Sequence, residues 1–340
     1  MIELADVQRI LLGHGGGGRL SRNLIEEEIV TRFGGKGPLA GLPDGARLQL
    51  GGETLVFSTD SFVVSPLEFP GGDIGKLAVH GTVNDVSVSG AVPLWLSLAL
   101  IIEEGLEMST LRRVLDSIKT ASEEIGVQVV TGDTKVVARG QCDGIYINTA
   151  GIGRAIQGMN TAESRIQPGD AVIASGTLGD HGMAVMAARE KLTLNNLLES
   201  DTASVHRLVA AAAEWAGSVK FMRDPTRGGT AAVLGEVVEN SSFGISLLEE
   251  SIPYNPDARA VAEVLGIDLL HVASEGRMLL VCSPDIADSL LKSWKKLPEG
   301  AGASIIGKVT KETGRVVLET QIGGRRMVDI PQGELLPRIC

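Results

Sequence analysis

The chain has 340 residues, 44% of them hydrophobic and 21% charged, which is enough apolar material to fill a core in each of two ordinary domains. Its formal net charge of -11 opposes the counterion release that drives most nucleic-acid binding, and no dense Lys/Arg block offsets it, so DNA and RNA are excluded as expected partners. The 43 glycines are scattered rather than gathered in one tract, which argues for turns and close backbone approaches instead of long disordered arms.

In chain order, β-branched runs at residues 54–58, 94–101, 127–130 and 145–150 predict strands, and segments with a period near 3.6 at 73–89 and 109–124 predict helices. The longest apolar run, 92–102, contains Pro93 and stops at Glu103 and Glu104, too short for a membrane span and suited to a buried strand. "GMNTAESRIQPGD" breaks the pattern, and a strand restarts at 171–174. Helices are then expected near 182–190, 203–213, 229–239, 258–265 and 284–294, with strands near 245–248, 277–282, 304–309 and 315–318. The fold class is α+β, with domains at 1–154 and 155–330 and a tail at 331–340. The opening "MIELADVQRI" lacks a basic head followed by an apolar stretch, so a cytoplasmic protein is expected.

"GHGGGG" at residues 13–18 matches G-x-G-x-x-G, but a dinucleotide fold needs a second strand ending in an acid about twenty residues later, where this chain reads "RFGGKGPLAG". A P-loop is excluded because "PGGDIGKL" has Pro70 for the first glycine and Leu77 for the magnesium-binding hydroxyl. The glycines Gly15, Gly16, Gly17 and Gly18 read either as a loose linker or as a lid whose bare N–H groups wrap a phosphate chain. Asp60, Asp85 and Asp133 fall at the ends of apolar elements in the first half, and Asp224 opens "DPTRGG" in the second. Each alone reads as a turn former or cap; four together suit magnesium bridging a polyphosphate. Lys135 reads as a surface ion-pair partner or as a cation for a transferring phosphoryl group. Glu275 and Arg277 in "SEGR", and His14 in the lid, read as proton-transfer groups or as ordinary loop residues.

Of three cysteines, Cys142 and Cys282 sit in apolar surroundings where buried thiols are usual, and Cys340 ends the chain. The tail "PQGELLPRIC" has two prolines and no helical period, so an extended, mobile segment reaching roughly 30 Å is expected. A prenylation box would place cysteine four residues from the end and does not fit.

"FPGGDIGKLAVHGTVNDVSVSGAVP", "VVTGDTKVV", "SGTLGDHG", "RDPTRGG" and the terminal "PRIC" together resemble the hydrogenase maturation factor HypE family over nearly the whole chain. In looser form the first four belong to the ATP-using superfamily of aminoimidazole ribonucleotide synthetase, thiamine monophosphate kinase and selenophosphate synthetase. The resemblance implies the two-domain aminoimidazole ribonucleotide synthetase-like fold, with N-terminal sheets pairing across a homodimer and ATP bound near that interface. It implies that a HypF-type carbamoyltransferase loads a carbamoyl group on Cys340, that ATP-dependent dehydration turns it into a thiocyanate, and that the cyanide passes to a HypC–HypD iron assembly for the [NiFe] hydrogenase centre. On that pattern Asp60, Asp85, Asp133 and Asp224 hold Mg2+, the glycine lid with Asn84 and Asp44 binds ATP, Lys135 stabilises transferring charge, and Glu275 removes protons with His14 as helper. Two rivals remain: a small-molecule kinase of the same superfamily, with no use for Cys340, and a thiol carrier that performs no dehydration.

Overall fold

The computed structural model describes residues 9–33, 42–192, 196, 198–239, 241–331, 333, 336 and 338–340. The glycine segment opens with a 3-10 turn at Leu12–Gly15, then α1 (Gly18–Leu24), a π-helical turn at Ile25–Val30 and α2 (Thr31–Phe33). The lid is therefore partly helical, and α1 starts at the last glycine of the run.

The first sheet contains β1 (Ala46–Leu50) and β2 (Glu53–Phe62), which are followed in the chain by the short hairpin β3 (Glu68–Phe69) and β4 (Gly72–Asp73). It is completed by β5 (Ala91–Glu103), β6 (Gln128–Val137) and β7 (Ile145–Ala155), in the order β1-β2-β7-β5-β6. All pairs are antiparallel except β5 with β6. The helix α3 (Ile74–Val88) and the amphipathic α4 (Met108–Ile125) cover one face. Asp73 caps α3, its Oδ1 accepting from Gly75 N at 2.7 Å and Lys76 N at 3.0 Å. Every residue of α3 except Lys76 and Asp85 is buried, His80, Thr82, Asn84 and Ser87 among them, as in a helix enclosed between layers.

The second sheet contains β8 (Ala171–Ala174), β9 (Val219–Arg223), β10 (Gly244–Leu248), β11 (Leu279–Cys282), β12 (Ser304–Thr310), β13 (Val316–Glu319) and β14 (Arg325–Met327). Its order is β14-β13-β10-β12-β8-β11-β9, antiparallel except β10 with β13. The helices α5 (Asp180–Arg189), α6 (His206–Ala212), α7 (Gly229–Glu239), α8 (Pro256–Leu265) and α9 (Pro284–Trp294) surround it.

Three differences from the sequence reading bear on function. The edge strand β6 runs on to Val137, so Asp133 lies inside a strand rather than after one; Thr131, Thr134, Val136 and Val137 keep it paired to β5. The outer face of the first sheet is bare, with Phe57, Val92, Trp95 and Ile101 each more than a third exposed. The tail, expected to be mobile, is docked in its described residues. Leu336 and Ile339 are buried, and Val63 and Ser65 N–H groups donate to the carbonyls of Cys340 and Arg338, each at 3.1 Å. Arg338 takes a left-handed φ of 57°, which turns the chain end inward instead of letting it run straight.

Trp294 is fully enclosed in the second domain and its Nε1 donates to Leu208 O at 2.9 Å. Trp294→Ala is expected to cost about 3–5 kcal/mol, read as a lowered urea midpoint.

Candidate functional site

Asp60 occupies the inner face of β2, shared with Val56, Ser58 and Phe62, and so points toward α3. Asp85 projects from the last turn of α3. Asp224 follows β9 and Glu275 precedes β11; both are buried. These four carboxylates converge electrostatically from both domains. Burial pushes Asp224 up to about 8, with Asp44 and Asp60 adding to it. Burial raises Asp85 well above the carboxylate range, and Asp224, Asp44 and Asp60 raise it further. Glu275 is likewise held far up, first by burial and then by Asp224, Asp60 and Asp201, and its Oε1 has no protein hydrogen-bond partner. Burial raises Asp60 as well, opposed by Arg227.

Ser58 Oγ lies 2.7 Å from the Asp44 carbonyl oxygen and 2.8 Å from Asp85 Oδ2. One hydroxyl proton divided between two acceptors compensates a buried carboxylate only weakly, in keeping with the raised proton affinity of Asp85. This is a site short of positive charge. Among the described residues no three His, Cys, Asp or Glu donors stand close enough to hold a bare ion. The donor set fits a magnesium ion that keeps waters and takes only a few carboxylates.

Two arginines that the sequence reading leaves without a role supply cations. Arg223 Nε reaches Asp44 at 3.1 Å and its Nη1 reaches Glu236 at 3.1 Å. Arg227, in the quoted "RDPTRGG", donates from Nη1 to Gly15 O at 2.9 Å. Its affinity for a proton is raised first by Cys340, then by Asp60, Glu275 and Asp85, so the guanidinium lies in the field of both the tail tip and the carboxylates. A cavity of about 630 Å³ opens beside it, lined by His14, Gly15, Gly17 and Gly18 from the lid and by Asp44 and Asp224. Gly17 and Gly18 have φ of 74° and 71°, and a Cβ on Gly18 would stand 2.2 Å from Pro331 O, so this close approach of the segment to the tail needs glycine there. Gly16 lies beside Arg227 at the tail side. His14 uses Nδ1 to accept from Leu11 N at 2.9 Å.

Asn84 is a correction. Its amide is fully buried and engaged with Ala203 O at 3.0 Å, Glu275 O at 3.2 Å and Val205 N at 2.8 Å, so it bolts α3 to the second domain and presents nothing to a ligand. Asp133 and Lys135 also do not join the cluster within one chain. They form an exposed pair at 2.8 Å on β6. Their β5 partners, Ala99 and Ile101, lie on the outer face, opposite Asp60. The register Asp60–Thr149–Leu98–Gly132 puts three strand spacings, about 14 Å, between β2 and β6. The bulge between Leu96 and Ser97 shifts the pairing register, which single-strand alternation does not reveal.

Residues 43–155 match the family model for AIR synthase related protein, N-terminal domain, and residues 167–319 match its C-terminal domain counterpart. The carbamoyl dehydratase HypE of Rhizobium leguminosarum bv. viciae is 48% identical, over 98% of this chain and 95% of that protein. The chain belongs to the HypE family. A crystal structure of a HypE–HypF complex superposes with a TM-score of 0.86 at 44% identity, covering 91% of this chain and 99% of that one. A HypE structure in complex with ATP gives a TM-score of 0.81 at 42% identity, covering 98% and 100%. Among the described residues of this HypE chain, no helix is long and apolar enough to cross a membrane.

The raised Asp224 has a pH consequence for the ligand-free protein. Its carboxyl binds a proton on folding between the unfolded value near 3.8 and the folded value of about 8, so the stability it allows falls as pH rises through that window. Thermal midpoints are expected to drop from about pH 5 to about pH 8, with Asp224→Asn flattening the slope; an unchanged slope in the variant would contradict the assignment.

Proposed function

We propose that this chain dehydrates an S-carbamoyl group on its own Cys340 to a thiocyanate at the expense of ATP, providing the cyanide ligand for [NiFe] hydrogenase iron. The observation that carries the reading is the docked tail, whose Ile339 lines a small cavity together with Arg227, a guanidinium whose proton affinity is raised first by Cys340 and then by Asp60, Glu275 and Asp85. A terminal cysteine brought to a cluster of carboxylates is what a self-modifying thiol requires and what a small-molecule kinase does not. ATP, held by the related HypE in its crystal complex, has a cavity of fitting size under the lid of this chain. Asp60, Asp85 and Asp224 would hold its magnesium, which neutralises phosphate charge when bound.

An amide oxygen leaves poorly, and as a phosphate ester it leaves well. R–S–C(=O)NH2 gives up its oxygen as phosphate and both N–H protons, leaving R–S–C≡N, with ADP as the other product. Glu275 would take a proton once bound magnesium neutralises the neighbouring acids that crowd it and leaves its carboxylate ionised, its raised proton affinity then favouring the transfer. Arg227 steadies the negative charge that develops at the tail tip, and the lid glycines exclude water.

The carbamoyl group would come from a HypF-type transferase, in line with the related complex, and the cyanide would go to a HypC–HypD assembly. The bare outer face with Phe57, Trp95 and Val92 suits closure against a second copy, and Asp133 and Lys135, which lie on that face, would then serve the partner's site.

Intact mass decides the central step. After incubation with the transferase, carbamoyl phosphate and ATP, Cys340 is expected to gain a carbamoyl group, and MgATP added next is expected to remove one water. A Cys340→Ala chain gains nothing. An adduct that never loses water would make the protein a carrier, and full ATP-dependent activity in Cys340→Ala would make it a kinase.

Mixed dimers test the placement of Lys135. Lys135→Ala and Cys340→Ala chains, each inactive alone, are expected to recover up to about half the activity per dimer when combined, since one site then has both groups. No recovery would place Lys135 in the same chain's site or outside the reaction.

A further inference from the structure

The last three carbonyls of the docked tail are each held by a donor from a fixed element. Ser65 N–H and Arg189 Nη2 serve Arg338 O at 3.1 and 2.7 Å, and Val63 N–H serves Cys340 O at 3.1 Å. Arg189 also donates from Nε to Ser65 O at 2.9 Å, so one guanidinium ties the tail and the segment after β2 together. The Ile339 carbonyl between them meets His181 Nε2.

The hydrogen-bond chain behind His181 fixes its protonation. A carbonyl oxygen only accepts, so Nε2 carries the hydrogen. Nδ1 lies 2.8 Å from Ser200 Oγ and accepts from that hydroxyl, and Ser200 Oγ in turn accepts from Thr202 N–H at 3.0 Å. The ring is fully enclosed and sits edge-on to Phe69, centroids 5.4 Å apart at 84°. Burial lowers its affinity for a proton, which keeps it neutral and its tautomer single. His181 and Arg189 lie at opposite ends of α5, in the motif "SGTLGDHG" and beyond it.

We infer that His181 and Arg189 are positioning residues that latch the tail in the register that presents Cys340 to Arg227 and the carboxylates, holding it docked for dehydration and releasing it for carbamoyl loading. The loading and dehydrating halves of this inference rest on the reading that Cys340 carries the carbamoyl group; the latch itself does not. A transferase must reach the thiol, whereas dehydration must enclose it, and one tail cannot do both in one place. The His181 and Arg189 bonds go to main-chain carbonyls of the tail, while its Arg338 side chain pairs with Asp143 and its Leu336 and Ile339 side chains are buried. The two latch bonds can therefore be removed without altering a side chain of the tail.

The test compares His181→Phe, which keeps an aromatic ring and removes the donor, with His181→Gln, whose amide returns an N–H near the Nε2 position. Alkylation of Cys340 by iodoacetamide, followed by peptide mass, reads docking directly, and the buried Cys142 and Cys282 report general loosening. In His181→Phe, Cys340 alkylation is expected to rise about fivefold and single-turnover dehydration to fall about fivefold, the effect of one lost buried hydrogen bond. Loading by the transferase should be no slower, and His181→Gln should restore both rates to within about twofold of wild type. Arg189→Met is the second variant, with the same pattern expected if His181→Phe does not fold. Wild-type alkylation and dehydration rates in the folded variants would overturn the inference, as would Cys142 and Cys282 reacting in step with Cys340, or loading and dehydration falling together. If wild-type Cys340 never acquires a carbamoyl group, the reading of the function fails, while the alkylation ratio still decides whether the latch exists.

Discussion

Asp60, Asp85, Asp224 and Glu275 come from four segments of two domains, and burial sets their negative charges against one another where the domains meet. Enclosed like charges of this kind are costly unless they bind protons, arginines or a dication. The fold supplies the first two. Burial and mutual repulsion raise the proton affinity of Asp224 and Asp85, Arg223 pairs with Asp44, and the charge of Arg227 opposes the rise at Asp60 and Glu275. The enclosure of α3 makes the arrangement rigid, because Asp85 rides on a helix packed by both domains and bolted through Asn84 to Ala203, Val205 and Glu275. A carboxylate on such an element cannot swing away from its neighbours to relieve repulsion.

The tail belongs to the same electrostatic unit. Arg227 feels Cys340 more strongly than it feels any single acid of the cluster. It also holds the lid through Gly15 O, and Arg19 N donates to Pro331 O at 3.1 Å. Lid, tail and carboxylates thus share partners in one small region. The glycine segment and the tail meet through direct contacts rather than through a distant relay.

Much of this is legible in the sequence, and what is not has physical reasons. The central strands and the long helices carry clean periodicity, and most fall within a few residues of where that periodicity puts them. The strand β9 gives little signal because "VKFMR" has mixed polarity, and the lid helix is hidden by a run of glycine. Asp60, Asp85 and Asp224 stand out in the sequence at element ends, and such ends gather at a domain junction. Asp133 looks the same in sequence, since a motif says nothing of sheet order: two intervening strands and an opposite face separate it within one chain. Asn84 suggests a ligand through its place beside Asp85, yet a helix turns about 100° per residue and sends the next side chain elsewhere. The prolines of the tail suggest mobility; the anchors that dock it, His181 and Arg189, lie about 150 residues away in sequence and leave no local signal.

The account depends on the buried acids being protonated until a dication arrives. Calorimetric titration of MgATP at pH 7 in buffers of differing ionisation enthalpy counts the protons exchanged on binding. Release of about one proton or more, diminished in Asp224→Asn, is the predicted result. Binding with no proton release in the wild-type protein would show that the carboxylates already stand ionised, and would contradict the claim that their mutual repulsion organises the site.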